Sequence, residues 1–595
     1  MAGFYLIAAE DPQVRQAGVT HAKSRISLVP CTWVSETRDG LDIVFATLPH
    51  TPFSRYEEAD GTLTLLLGRP IADDGVITAK EIAAYVARGE VPWLSGLFAW
   101  FSLGPEGSFR VGGDPFSILP VFYSEANGRL EMASSPAAID SQPGFQQALD
   151  PIGLARYLMG NGSSGERSLD RGIRRLKNGC ELRVSDRGRV EIASGSRFSP
   201  AGGTPPHSFD ASCQEANALL ASACRRHGRS ERSDLLLSGG LDSRLILAHL
   251  VALGNAPRCL SRGYPGDDEV IFARKSARKA GCEWELMRDD FSRIRAAAAA
   301  EIGLFSLHGG FATVLTMTDI LAPTPRAAQT FNGFFMDSIF DPFAGIADES
   351  KPRGFEAEFK RKMNSFGIAP GRLKAMLIDA GHRQAVDEAV AEMRAEWDGL
   401  SENPRIRIWQ MLQHFRTNHH IGGIVWKNSF VSWPVFPSLD VPMIRRLMDF
   451  PVAHFRQRAL ERAMLARMNP ALAKIPLDGN SLHPRPVIDT PGARLGRECR
   501  ILRARWFPRT ASQDTRRYHR VLNMNAEAWK DLRKQTDGLR GSLEEIFHRK
   551  KLAVYFPRSR KPVPVEKDAI SEHGGRRMLA GLALYLARNG SGKTE

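Results

Sequence analysis

Ser238-Gly239-Gly240-Leu241-Asp242-Ser243 is a six-residue string whose side chains and spacing suit a bound phosphate chain. Two adjacent glycines remove the Cβ atoms that keep a ligand away from the backbone. Ser238 and Ser243 supply hydroxyl donors, and Asp242 supplies a hard oxygen ligand for Mg²⁺. Such a string works at the mouth of a helix, where free N–H groups and the positive dipole end meet an anion. The flanks predict that placement. Asp234-Leu235-Leu236-Leu237 reads as a buried strand leading in, and Leu245, Ile246, Leu247, His249, Leu250 and Val251 read as a helix leading out. The Lys-Ser/Thr ending of a Walker A loop is missing, so the string suits pyrophosphate and does not imply γ-phosphate transfer.

Other residues with chemical potential follow. Arg258-Cys259-Leu260-Ser261-Arg262-Gly263 predicts a second strand, and Asp267-Asp268-Glu269 opens a helix ending near Ala280-Gly281. Acids in a first helical turn serve a ligand or the helix dipole equally well. Phe331-Asn332-Gly333-Phe334-Phe335-Met336-Asp337-Ser338-Ile339-Phe340 carries another aspartate, a metal ligand or a helix N-cap. His419 and His420 point apart on a helix and have no Cys or acidic partner at ligand spacing, so they read as structural. His308-Gly309-Gly310 reads as a loop bordering an acceptor site.

These residues need a scaffold, and 595 residues allow two or more domains with sizeable cores. Residues 1–200 read as β-rich, with alternating runs such as Leu63-Leu65-Leu67 and Leu97-Phe98-Ala99-Trp100. A Gly- and Pro-rich linker at 199–206 follows, and residues 208–595 read as an α/β domain with many helices. No apolar stretch reaches the ~20 residues of a membrane span, and the N-terminus lacks the basic region of a signal peptide. The seven cysteines form neither CxxC pairs nor an even framework, so reduced thiols and a cytoplasmic location are expected. The formal charge is +14, and much of the excess lies at 494–505, 516–520 and 548–561. That charge suits nucleic acid, an acidic peptide, a membrane surface or plain solvation. No RNA-binding signature accompanies it, so no nucleic acid partner is expected.

The SGGLDS string and its flanks resemble the PP-loop of ATP pyrophosphatases, in the form carried by asparagine synthetases and their relatives. The resemblance extends along the chain. Gly96-Leu97-Phe98-Ala99, Gly113-Asp114-Pro115, Pro120-Val121-Phe122-Tyr123, Ala133-Ser134-Ser135-Pro136 and Gly172-Ile173-Arg174-Arg175-Leu176 look like that family's glutaminase domain. Residues 331–340 resemble its second signature, "SGDGGDELF", with Gly333, Asp337 and Phe340 in register and Gly345 beyond. Pro437-Ser438-Leu439-Asp440 resembles its "PFLD" segment.

The resemblance implies an Ntn-type β-sandwich α+β domain over 1–200 and a PP-loop synthetase domain with a parallel sheet over 208–595. It implies ATP and Mg²⁺ as cofactors, with Asp242 and Asp337 holding the metal. Leu237, Ser238, Gly239, Gly240, Leu241, Ser243, Leu260, Ser261 and Gly333 would bind the nucleotide. Lys474 is the nearest candidate for the lysine that steadies an acyl-adenylate. Two departures stand out. Position 2 is Ala where the family's glutaminase carries its nucleophilic cysteine, so that domain is expected to be inactive. Phe334-Phe335-Met336 replaces small and acidic residues of the second signature.

A synthetase without glutaminase needs another nucleophile. The apolar 334–336 segment, the basic C-terminal region and Ala473-Lys474-Ile475-Pro476-Leu477-Asp478-Gly479-Asn480 look most like lasso peptide cyclases, which close a macrolactam between a peptide's N-terminal amine and an Asp or Glu side chain. An α-amine with a pKa near 7.7–8.0 is about one-third neutral at pH 7.5, so its attack needs little help from a base. The expected partners are then a precursor core peptide, a leader peptidase and a leader-binding protein. The alternatives are β-lactam synthetase-like ring closure and ammonia-dependent amidation of a small carboxylate.

Overall fold

The computed structural model describes residues 3–26, 29–160, 162–185, 188–195, 198–229, 232–340, 353–479, 483–506, 514–565 and 568–590. Gly345, Asn480 and Ala2 lie outside them.

Period-two alternation builds the first half. In strand Gly3–Ala8, Phe4 and Leu6 face one way, and Tyr5 and Ile7 the other. The strand lies inside a six-stranded antiparallel sheet, between Arg129–Ala133 and Leu41–Thr47. A second antiparallel sheet is centred on Leu63–Ala72 and Ser95–Leu103. Phe4 and Phe45 of the first sheet meet Phe101 of the second edge-on, with ring centroids 4.7 and 5.2 Å apart. The outer faces are apolar too, so each needs a cover. Ala22 and Ile26 of helix Pro12–Ile26 pack on Tyr5 and Ile7, and Ile82 and Val86 of helix Ala79–Ala87 pack on Leu66, Phe98 and Trp100. The result is a helix–sheet–sheet–helix sandwich, as expected for this half.

The second half is built on a five-stranded parallel sheet in the order Trp284–Arg288, Arg258–Gly263, Ser233–Leu236, Gln329–Asn332, Trp433–Val435. The first strand in sequence is central, and its two neighbours are reached in opposite directions. Crossovers diverge there and open a crevice at the strands' C-terminal ends, which is where ligands bind in such sheets. The SGGLDS string leaves Ser233–Leu236 at that point. The five alanines at 296–300 lie in helix Ile294–Phe305, and helix Gly574–Gly590 buries Met578, Leu579, Leu582 and Ala583 against the same domain. Asp440 is structural: it caps helix Val441–Leu447 through Met443 N at 3.0 Å and pairs with Arg226.

The halves meet through buried polar groups. Arg156 donates to Glu396 Oε1 and Oε2 at 2.9 and 2.7 Å, and Arg175 reaches His308 and His419 across the boundary. His308 therefore belongs to the domain interface and lies in neither cavity beside the SGGLDS loop, contrary to the expectation of a loop bordering the acceptor.

Candidate active site

The loop between strand Ser233–Leu236 and helix Asp242–Ala252 is held from within. Ser238 Oγ accepts from Gly240 N at 3.1 Å, and Ser243 Oγ accepts from Ser238 N at 3.0 Å. The two hydroxyls are themselves 3.0 Å apart. Leu237 N donates to Leu260 O at 2.8 Å, and Ser261 Oγ donates to Leu237 O at 2.7 Å. Ser261 thus fixes the loop with its side chain. Helix Asp242–Ala252 has no side-chain cap, so its first N–H groups stay available to an anion.

The glycines work differently from the expectation. A Cβ on Gly239 would stand 2.9 Å from Glu269 Cα and 2.9 Å from Asp478 Cβ. Gly239 is therefore needed for close approach to the protein itself. Buried Arg244 locks the same region, donating to Gly239 O at 2.9 Å, Ile475 O at 2.7 Å and Pro476 O at 2.9 Å. A Cβ on Gly333 would stand 2.7 Å from Ser243 N and 3.1 Å from Asp242 Cβ. The two signature loops thus touch, and only glycine permits it.

Two residues beyond, Phe335 has a φ of +69°. A non-glycine residue there is strained by roughly 1–2 kcal/mol, and in the family's signature this position is a glycine. The buried ring offsets the strain by packing edge-on to Phe436 at 5.4 Å, and the carbonyl accepts from Ser338 N at 3.0 Å and Oγ at 2.7 Å.

Asp242 is engaged by a cation that the sequence did not point to. Arg458 Nη2 donates to Asp242 Oδ1, and Arg458 Nε donates to Glu461 Oε2 at 2.7 Å. Glu461 is fully buried, and its Oε1 has no hydrogen-bond partner. Burial raises its pKa, while Arg458 lowers it and Asp337 raises it further. Asp337 lies exposed in helix Met336–Phe340, near enough to act on Glu461 and Arg416 but lining neither cavity. Asp242 and Asp337 are therefore joined electrostatically through Glu461. Gln457 and Arg458 both have positive φ, 54° and 60°, so a strained turn delivers the arginine.

Two cavities flank the loop. One, of about 370 Å³, is lined by Leu237, Ser238, Asp242, Ser243, Leu260 and Gly333, with Phe334, Met287 and His420 among its other walls. Its size suits a small-molecule ligand. The other, of about 490 Å³, is bordered by Leu241, Arg458, Arg462, His483 and Arg485. Gly240 and Ser261 line neither, and Lys474 is exposed at the end of helix Pro470–Ala473, away from both. Arg458 is a cation in direct contact with the loop acid Asp242.

The first cavity also holds Glu269, which the sequence left divided between a ligand and the helix dipole, and His420, which it read as structural. Burial pushes the Glu269 carboxyl up to about 7, with Arg517 opposing it from 4.0 Å, and Glu269 Oε2 has no hydrogen-bond partner. Its neighbours in the first turn are engaged elsewhere: Asp267 accepts from Tyr264 N and Arg520, and Asp268 from Thr515 Oγ1. Burial alone would raise Asp289, but the guanidiniums of Arg517, Arg262 and Arg520 outweigh it and hold the carboxyl below its ordinary range. His420 Nδ1 lies 2.9 Å from Gly309 O, and its pKa is lowered to about 4 by burial, so it lines the cavity as a neutral ring.

Residues 81–193 match the model of a glutamine amidotransferase domain, and residues 215–301 match the model of asparagine synthase. Over these two stretches the chain is similar to the two domain types expected of an asparagine synthetase. Curated relatives include putative glutamine-hydrolyzing asparagine synthetases of Mycobacterium tuberculosis and Mycobacterium bovis, each 25% identical over 245 residues. That alignment covers 40% of this chain and 34% of theirs, so the chain spans about a third of the length of the curated relatives it matches. Among solved structures, the Bacillus subtilis glutamine phosphoribosylpyrophosphate amidotransferase complexed with ADP and GMP has 13% identity and a TM-score of 0.22, covering 48% of this chain and 65% of that one. A structure titled as the allosteric regulatory enzyme of purine biosynthesis has 13% identity and a TM-score of 0.23, covering 48% and 64%.

No described helix is long and apolar enough to cross a membrane. Among the described residues, all seven cysteines are free thiols, and no three His, Cys, Asp or Glu side chains cluster as a metal cage.

Proposed function

We propose that this chain is an ATP-dependent, AMP-forming C–N ligase that activates a carboxylate and joins it to an amine. One observation carries the reading: Gly333 brings the second signature loop against Asp242 and Ser243, over a cavity at the diverging end of a parallel sheet. The donor set fits the group it would hold. Mg²⁺ binds through one or two carboxylates plus substrate phosphates, and Asp242, which lines the first cavity, would supply one of them without a closed protein cage; Asp337 lies outside both cavities, so its expected place as a second ligand is not met in this structure. Bound ATP supplies AMP as a leaving group, which makes a poor electrophile reactive. The free N–H groups of helix Asp242–Ala252 would serve the phosphates, and Arg458, Arg462 and Arg485 add positive charge in the second cavity, which borders the same loop.

For the substrate we propose a ribosomal lasso-type peptide, with ring closure between its N-terminal amine and an Asp or Glu side chain. Two features support it. Ala, not cysteine, precedes the first strand at position 2, which favours an amine drawn from the substrate over ammonia released from glutamine. Phe334, part-exposed in the cavity wall, replaces a polar residue of the signature with a surface suited to a peptide side chain. The amine then needs mainly positioning, which contributes ~7–11 kcal/mol when attack geometry is enforced. The guanidinium-lined second cavity favours a second reading, amidation of a small anionic acid by ammonia.

Both readings are tested together. Purified protein is mixed with ATP, Mg²⁺, a leader peptidase, a leader-binding protein and the candidate precursor, and the core peptide is weighed by mass spectrometry. Loss of one water with release of AMP and pyrophosphate is the expected result. A linear core, with pyrophosphate exchange driven by aspartate or a sugar acid, replaces the peptide reading by the small-acid one. Absence of exchange with every carboxylate removes the ligase reading itself.

A further inference from the structure

Helix Pro491–Trp506 lines neither cavity, and its surface is apolar along one edge. Over sixteen residues none of its described side chains is buried. Leu495, Leu502 and Trp506 are 67%, 52% and 77% exposed, and Cys499 between them is exposed too. At 100° per residue these four positions fall within an arc of about 60°. They form one continuous apolar ridge facing solvent. Other exposed large apolar residues, such as Val76, Ile192 and Ile378, stand singly and need no explanation.

The charge of the segment is equally one-sided. It contains arginines at 494, 497, 500, 503 and 505 and one carboxylate, Glu498, in a chain of net charge +14. Asp489 offsets part of this, accepting from Arg494 at 3.2 Å and Arg497 at 3.3 Å. A narrow ridge of Leu and Trp on an arginine-rich helix is the pattern of a helix that lies in a membrane interface. Tryptophan favours that depth because its ring is apolar and its N–H is polar.

We propose that helix Pro491–Trp506 docks this enzyme on an anionic lipid bilayer, with Leu495, Leu502 and Trp506 inserted at the headgroup boundary and the net positive charge of the segment drawing it to lipid phosphates. A protein partner fits the ridge less well. A stable protein interface needs roughly 800 Å² on each side with a well-packed centre, whereas shallow insertion needs only an apolar ridge and charge. The proposal is independent of the reaction: the helix lies outside the catalytic cavities, so docking places the enzyme without completing its site.

The test uses the purified full chain and sedimentation with vesicles. One set is phosphatidylcholine alone; the other is two parts phosphatidylcholine to one part phosphatidylglycerol. The chain should sediment with the anionic vesicles and stay in solution with the neutral ones, less so as salt rises. The variant Leu495→Gln, Leu502→Gln, Trp506→Gln should weaken vesicle binding by about tenfold or more. Its melting temperature should match the parent, because the three side chains are exposed. Equal vesicle binding by the variant would overturn insertion of the ridge. Failure of the parent to bind anionic vesicles would overturn the proposal outright and assign the ridge to a protein partner.

Discussion

Arg458 is clamped between two carboxylates, Asp242 of the SGGLDS loop and Glu461 of the following helix. Asp242 is about a third exposed and Glu461 fully buried, so the arginine joins a ligand-facing acid to an interior one. Any cation that enters with a nucleotide at Asp242 competes with this guanidinium. The strained turn at Gln457 and Arg458 holds the arginine against Asp242.

Arg458→Met should destabilise the fold by about 3 kcal/mol, since breaking a buried pair leaves an uncompensated charge. The orphan would be Glu461, whose Oε2 would lose Arg458 while its Oε1 already has no hydrogen-bond partner. Adding Glu461→Gln should restore most of the loss. Urea unfolding of the two single variants and the double gives the coupling. Additive effects would show that the pair contributes nothing as a pair.

Gly333→Ala should separate the loops. Its Cβ would meet Ser243 N at 2.7 Å, a backbone atom that cannot rotate away. Overpacking of this kind costs roughly 1–3 kcal/mol. Displacing a site by about 1 Å lowers turnover by up to ~100-fold, so ATP–pyrophosphate exchange should fall far more than stability. Gly240→Ala is the control: its nearest neighbour is Ser238 Oγ at 3.2 Å, a side chain that can shift. Equal losses in the two variants would remove the special role of Gly333.

The legible parts of the sequence are those with local causes. The string 238–243 between a strand pattern and a helix pattern gave loop, strand and helix together, because each depends on near neighbours. The antiparallel sandwich was readable from alternation, since period two is set by the strand itself. The illegible parts depend on distant chain segments. Gly239 looked like a ligand contact, but its constraint comes from Glu269 and Asp478, 30 and 239 positions away. Arg458 carried no signal, because an arginine before a charged helix resembles a solvated face until the fold returns it to Asp242. Phe335 looked like a broken signature, yet the backbone there keeps a left-handed turn with a phenylalanine. Lys474 lies near a motif in the sequence, but the fold leaves it on the surface, and exposure is not encoded in spacing.

Glu269 makes stability depend on pH in a direction opposite to most carboxylates. Burial raises its pKa to about 7 in the folded chain, against an ordinary value of about 4.3 when unfolded. Below the unfolded value both states are protonated and nothing is lost. Between that value and about 7 the unfolded state ionises while the buried group keeps its proton, so roughly 3–4 kcal/mol of stability is lost, and above 7 the loss grows no further. Glu269→Gln should therefore be more stable than the parent at pH 8, and the gap should close as pH falls toward 5. A gap that does not change with pH would mean that Glu269 is ionised in the fold at all these pH values.

His308 and His419 produce the opposite limb. Their facing nitrogens are 2.7 Å apart, and Arg175 Nη1 lies 3.0 and 2.9 Å from them. Burial lowers both pKa values well below 6.5, and the arginine charge lowers them further. Each ring is thus neutral in the fold and titrates near 6.5 only when unfolded. Stability is fully present above that value and is lost as pH falls below it, by about 1 kcal/mol per histidine between pH 7 and 5.5. Asp114 and Glu269, both raised to about 7 by burial, gain protons over the same range and mask part of the fall. The comparison must therefore be between variants. His419→Gln should be less stable than the parent at pH 7, because it breaks the contact between the two halves, and its disadvantage should shrink by about 1 kcal/mol at pH 5.5. Chemical unfolding at the two pH values measures this directly. A constant disadvantage would show that His419 is already protonated in the folded protein, and that Arg175 does not keep the interface neutral.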